Sequence, residues 1–67
     1  MNINVIFSGK NFVIIKDLVT GYYHVYSYNK PIAIWDGKLN MSESNIITQC
    51  NKYHLNVFKE FIDGLRK

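Results

Sequence analysis

Apolar and polar positions alternate with a period of two up to about residue 41, then recur with a period near that of an α-helix. Ile3, Val5 and Phe7 alternate with Asn2, Asn4 and Ser8, which predicts a strand over residues 3–7. The cluster Ser8-Gly9-Lys10-Asn11 ends it as a turn. Residues 12–17 predict a second strand, apolar on both faces through Val13, Ile14 and Ile15 and therefore interior to its sheet. Val19-Thr20-Gly21 reverses the chain, residues 22–28 predict a third strand, and Asn29-Lys30-Pro31 closes it. A fourth strand over 32–35 and a fifth over 38–41 flank Asp36-Gly37, two residues that tolerate the positive φ of a tight hairpin.

Ser42 or Ser44 can cap a helix start, and the helix is expected over residues 44–63. Ile47, Cys50, His54, Val57, Phe58, Phe61 and Leu65 fall near one face of it, with Thr48, Gln49, Lys52, Asn56, Lys59, Glu60 and Asp63 on the other. Gly64 suits a left-handed stop, with Leu65 folding back to an apolar contact. The expected fold class is α+β. It is a single domain over residues 1–67, with an antiparallel sheet of four to five short strands followed by one C-terminal amphipathic helix packed on one sheet face. Ile3, Val5, Phe7, Val13, Ile15, Val25, Ile32, Ile34, Leu39 and Met41 are expected to face the helix, and loss of the Phe58 or Phe61 ring to unfold the domain.

Composition sharpens this in three ways. A chain of 67 residues buries only about 60% of its unfolded surface. Cys50 is its one cysteine, so stability rests on a core drawn from 48% hydrophobic residues, or on burial against a partner or second copy. No stretch has the form of a signal peptide, and no apolar run approaches the ~20 residues that span a bilayer. With one free cysteine, these features lead us to expect a cytoplasmic protein with no membrane partner. The net charge of +3 sets seven lysines and Arg66 against five carboxylates. Ile, Asn, Lys and Tyr supply 29 of the 67 residues, and all four have AT-rich codons, so the lysine surplus is weak support for a nucleic-acid partner.

The third strand carries the most distinctive side chains. Alternation places Tyr22, His24, Tyr26 and Tyr28 on one face if Val25 points to the helix. Ala33 and Trp35 on the next strand are expected beside them, with Lys30 at the margin. Tyr and Trp deliver large contact area at little rotamer cost and dominate binding hot spots. Tyr22, His24, Tyr26, Tyr28, Lys30 and Trp35 are accordingly the candidate partner-binding residues. Base stacking and simple β-propensity are the competing readings.

Little points to catalysis or cofactors. Cys50 and His54 stand one helical turn apart, which suits half a zinc site or a thiolate–imidazole pair. Only His24 could add an imidazole, and both residues are expected on the core-facing stripe, Cys50 as a small buried group. Asp17, Asp36, Glu43, Glu60 and Asp63 lack apolar flanks that would tune an acid or base. The four glycines are isolated at turns, without a phosphate-cradling loop. No catalytic residue, cofactor or metal ligand is therefore assigned.

Tyr26-Ser27-Tyr28-Asn29-Lys30-Pro31-Ile32-Ala33 followed by Asp36-Gly37-Lys38-Leu39, and Thr48 with Lys52-Tyr53-His54-Leu55-Asn56-Val57-Phe58, resemble small proteins carried by phages and mobile elements of low-GC bacteria. In those proteins a tyrosine-rich strand pair precedes a helix in which Lys adjoins His; here Tyr53 separates Lys52 from His54. The likeness spans residues 22–60. It implies a folded protein without enzymatic activity that occupies the working surface of a host enzyme or bacterial immune complex, a CRISPR effector among them. A single-stranded nucleic-acid binder or transcriptional regulator is the alternative, and a structural homodimer or assembly subunit a third.

Overall fold

The computed structural model describes residues 2–65; Arg66 and Lys67, counted in the charge above, lie outside the described residues. The described residues form five strands: β1 (Ile3–Ser8), β2 (Phe12–Asp17), β3 (Tyr23–Ser27), β4 (Lys30–Trp35) and β5 (Leu39–Met41). A 3-10 turn at Glu43–Asn45 leads to α1 (Gln49–Leu65). The strands form one antiparallel sheet in sequence order, and the helix packs on one face of it: an α+β fold. The smallest extent, 19 Å, matches two layers of about 10 Å each.

Short connections dictate the meander. Gly9 N–H donates to the Phe12 carbonyl at 2.7 Å and closes β1–β2. The β2–β3 loop is closed by Asp17, whose N–H donates to the Tyr22 carbonyl and whose carboxylate accepts from the Val19 N–H at 2.8 Å. Tyr28 and Asn29 join β3 to β4 at φ of 53° and 65°, the conformation of a two-residue primed turn. The third strand thus ends at Ser27 and not at Tyr28, and the fourth begins at Lys30 and not at Ile32.

The core is Phe12, Ile14, Val25, Ile32, Ala33, Leu55, Phe58 and Ile62. Register pairs Ile14 with Val25, and Val25 with Ala33. The expected parity of β2 is therefore reversed: Phe12 and Ile14 face the helix, and Val13 and Ile15 face away. Ile3 and Val5 are exposed instead of buried because they share the face of Ile15, away from the helix, whereas Phe7, shifted by a bulge to the side of Ile14, is exposed at the sheet edge. In β4 a bulge between the Val25–Ala33 and Tyr26–Pro31 pairs inserts Ile32 as an extra residue. Ile32 and Ala33 are both fully buried, and beyond them Ile34 faces outward. Leu39 is half-buried against the core, whereas Met41 is exposed.

The helix begins later than Ser42 or Ser44 suggests. Ser42 precedes the 3-10 turn without a side-chain bond, and α1 starts after Thr48. The Thr48 hydroxyl accepts from the Asn51 N–H at 3.1 Å, and Asn51 Oδ1 accepts from the Thr48 N–H at 3.0 Å. This reciprocal cap has the logic of a capping box with Asn in place of Glu. Asn51, Leu55, Phe58 and Ile62 form the buried stripe, flanked by half-buried His54, Val57 and Phe61. Relative to expectation the stripe is rotated, leaving Cys50 and Leu65 exposed, and Ile47 falls before the helix and is exposed as well. Gly64 lies inside the helix, and positive φ occurs at Gly21 and Gly37 instead.

Candidate functional site

One sheet face carries the helix, and the other is open. Register assembles the open face. Val5, Ile15, His24, Ile34 and Asn40 form a row across all five strands, each paired with the next. Ser8, Val13 and Tyr26 form a second, parallel row. Tyr22 is exposed at the head of β3, and Ile3 lies opposite Asp17 at the margin. His24 and Tyr26 are half-buried by their cross-strand neighbours and remain accessible.

The six residues expected to act together separate into two groups. Tyr22, His24 and Tyr26 stand on the open side. Tyr28 does not: its positive φ takes it out of strand alternation, and its ring lies 5.9 Å from that of His54 on the helix. Lys30, paired with buried Ser27, joins Tyr28 on the helix side. Trp35 pairs with Tyr23 and Leu39 and lines a cavity with Lys59 and Ile62, so it too faces the helix layer. Ala33, placed outward by strict alternation, is fully buried. One cause explains Ala33 and Trp35 together, the extra residue Ile32 in β4. In their place the open face holds Val5, Val13, Ile15 and Ile34, all of which simple alternation had assigned to the core.

Charge separates this face from the rest of the molecule. Lys16 turns to the helix side, its ammonium 5.4 Å from the Tyr23 ring centroid. Lys10 lies in the β1–β2 turn, Lys38 in the β4–β5 connection, and Lys52 and Lys59 on the helix. Among the described residues, none of the lysines stands in the two rows of the open face.

The helix side carries a connected polar chain that sequence reasoning missed. Asn51 Nδ2 donates to Ser27 Oγ at 2.8 Å, and Ser27 Oγ lies 2.7 Å from His54 Nδ1. The His54 ring stacks on Phe12, centroids 4.8 Å apart and planes within 10°. A serine bonded to an imidazole resembles a nucleophile and its base. Ser27, however, is 1% exposed and already accepts from Asn51, so its oxygen is closed to an incoming carbonyl. The chain ties the helix start to β3.

Beside it a cleft of about 370 Å3 is lined by Ser27, Tyr28, Lys30, Ile47, Thr48 and Cys50, among others. Cys50 is exposed there and not buried as expected. Its side chain holds the Tyr28 phenol above the ordinary tyrosine range, first by hydrogen bonding and then by charge repulsion of the phenolate. Because the folded value is raised, this contact contributes stability below about pH 10 that is lost as pH rises through the raised value. Cys50→Ala is expected to lower the pH at which Tyr28 ionises, read by ultraviolet difference titration against a Tyr28→Phe reference. An unchanged titration would break the link between the two side chains.

Among the described residues no three His, Cys, Asp or Glu side chains gather as a metal site, and no helix is long and apolar enough to cross a membrane. No protein-family model matches the chain, and no curated protein or solved structure matches it.

Proposed function

We propose that this chain is a non-enzymatic binding protein that acts by covering a surface of a partner protein with its open sheet face. The observation that carries this reading is the composition of that face. It joins Val5, Val13, Ile15 and Ile34 with His24 and Tyr26 and, among the described residues, carries no lysine, on a chain of net charge +3. An aromatic and aliphatic centre with a polar margin is the composition of an interface core. Nucleic acid would ask for cations beside the aromatic rings, and the described lysines stand elsewhere.

The finer reading is a phage or mobile-element protein that inhibits a host or bacterial-defence complex, a CRISPR effector being one such target. It is supported by small size and by the resemblance of residues 22–60 to phage-borne proteins. The test compares capture of one stoichiometric partner from host lysate by the wild type, by His24→Ala with Tyr26→Ala, and by Tyr53→Ala on the helix. Retention is expected to fall at least about tenfold for the open-face pair, as for hot-spot truncation, and to hold for Tyr53→Ala. Equal retention by a folded open-face variant would remove this face from the site. Recovery of oligonucleotide instead, with affinity falling steeply with salt, would support the nucleic-acid alternative.

A further inference from the structure

The sheet has two edges, β1 and β5, and they are treated differently. Protein edges are usually guarded against other strands by short length, lysine, proline, bulges or a covering segment. β5 has only three residues and leads directly into the 3-10 turn. On that side Ser42 N–H donates to the Ile32 carbonyl at 2.9 Å, and Asn45 Nδ2 to the Pro31 carbonyl at 2.8 Å. β1 has six residues, all exposed, and contains neither a charged side chain nor a proline. Ile3 is 47% exposed and Val5 56%. Its single guard is the bulge at Ile6, between the Val5–Ile15 and Phe7–Ile14 pairs.

Backbone parity shows what this edge offers. The Leu18 N–H donates to the Asn2 carbonyl at 2.7 Å, so the Asn2 backbone is turned toward β2. Successive residues of an antiparallel ladder turn their N–H and C=O to opposite sides. Before the bulge, therefore, Ile3 and Val5 direct theirs to the open edge, and Asn4 directs its own to β2.

We propose that a second copy of this chain pairs antiparallel along this edge, with Asn4 facing Asn4 of the other copy across a twofold axis. Ile3 exchanges two backbone hydrogen bonds with Val5 of the second copy, and Val5 two with its Ile3. The side chains of Ile3 and Val5 from both copies meet on the open face as one apolar patch, and the two Asn4 amides meet on the helix side. Charge favours this edge over other surfaces for self-association. Each copy carries +3, and β1 is a strand on which two copies meet without opposing lysines. The nearest cation in register, Lys16 opposite Asn4, lies over the Tyr23 ring. It is three strand spacings, about 14 Å, from its counterpart. The bulge confines regular pairing to Ile3–Val5, so the dimer is weak, forming between about 10 μM and 1 mM. It joins two open faces into one ten-stranded sheet and holds two contact surfaces side by side. The pairing stands independently of what those surfaces bind.

Sedimentation velocity and amide hydrogen exchange on the intact chain, each across that concentration range, test the proposal. Sedimentation is expected to show a monomer passing to a dimer. The Ile3 and Val5 amides should become at least about tenfold more protected as it does, since edge amides exchange freely in the monomer. Val5→Pro removes an outward donor without breaking the β1–β2 ladder, and is expected to stay monomeric with a native spectrum. A monomer throughout, a dimer whose Ile3 and Val5 amides stay fast, or an undiminished dimer of Val5→Pro would each overturn it. Should Val5→Pro fail to fold, the wild-type amide protection decides by itself.

Discussion

Phe58→Ala is expected to leave the chain largely unfolded at 25 °C, with helical and sheet signals in circular dichroism both lost. Phe58 is 0% exposed and sits in the hydrophobic cluster between helix and sheet. Removing a buried Phe ring costs about 3–5 kcal/mol. A domain of this length has a total stability of only about 3–10 kcal/mol at the usual value per residue. The cost is therefore comparable to everything the fold has. Phe61 is the internal comparison. It is half-buried and touches Tyr23 edge-on, ring centroids 5.4 Å apart. Although the sequence ranks the two rings as equals, Phe61→Ala is expected to remain folded with a lowered melting temperature. Equal effects would mean that the helix is rotated from the orientation described.

Asn51→Ala has the second largest expected effect, about 2–4 kcal/mol. One side chain serves both ends of a connection there. Its Oδ1 accepts from the N–H groups of Ile47 and Thr48 and from the Thr48 hydroxyl, while its Nδ2 donates to buried Ser27. Loss of a helix cap costs about 0.5–2 kcal/mol, and a buried polar group left without its partner about 1–3. For a domain of this size Tm should fall by roughly 10–25 °C. Ser27→Ala removes the same link from the other end, so the double variant should lose less than the sum of the singles. Additive losses would show that Asn51 and Ser27 act separately.

The layer order was legible because it depends on period, and period survives local error. Alternation before residue 42 and a helical repeat after it suffice for a sheet followed by one helix. Which side of each strand faces inward depends on register, and register turns on single residues. Phe12–Asp17 is apolar on both faces, so its own pattern cannot choose. The choice is made by the loop: with Asp17 and Tyr22 as its closing pair, counting inward sets Ile14 against Val25. An Asp followed by Thr20-Gly21 was the available signal, and Gly21 does adopt a φ of 79°. The bulge at Ile32 left no comparable trace beyond Pro31, a residue tolerated where a ladder is interrupted.

The candidate site was legible to the same degree. His24 and Tyr26 stand outward because Val25 between them is buried, as alternation requires. Tyr28 left the row because a tight turn took it at positive φ, a conformation that Asn29 signals and tyrosine does not. Trp35 left it because one extra residue upstream reversed its side. The aliphatic part of the face was hidden by the same parity error that put Val13 and Ile15 in the core. The Ser27–His54 contact joins residues 27 positions apart and had no local signature at all.

Site-specific photo-crosslinking tests the docking face most directly, with a benzophenone side chain placed at Tyr26 on the open sheet or at Tyr53 on the exposed helix. A discrete crosslinked partner from position 26, and none from position 53, is the predicted result. A partner captured from position 53 while position 26 stays silent would contradict it.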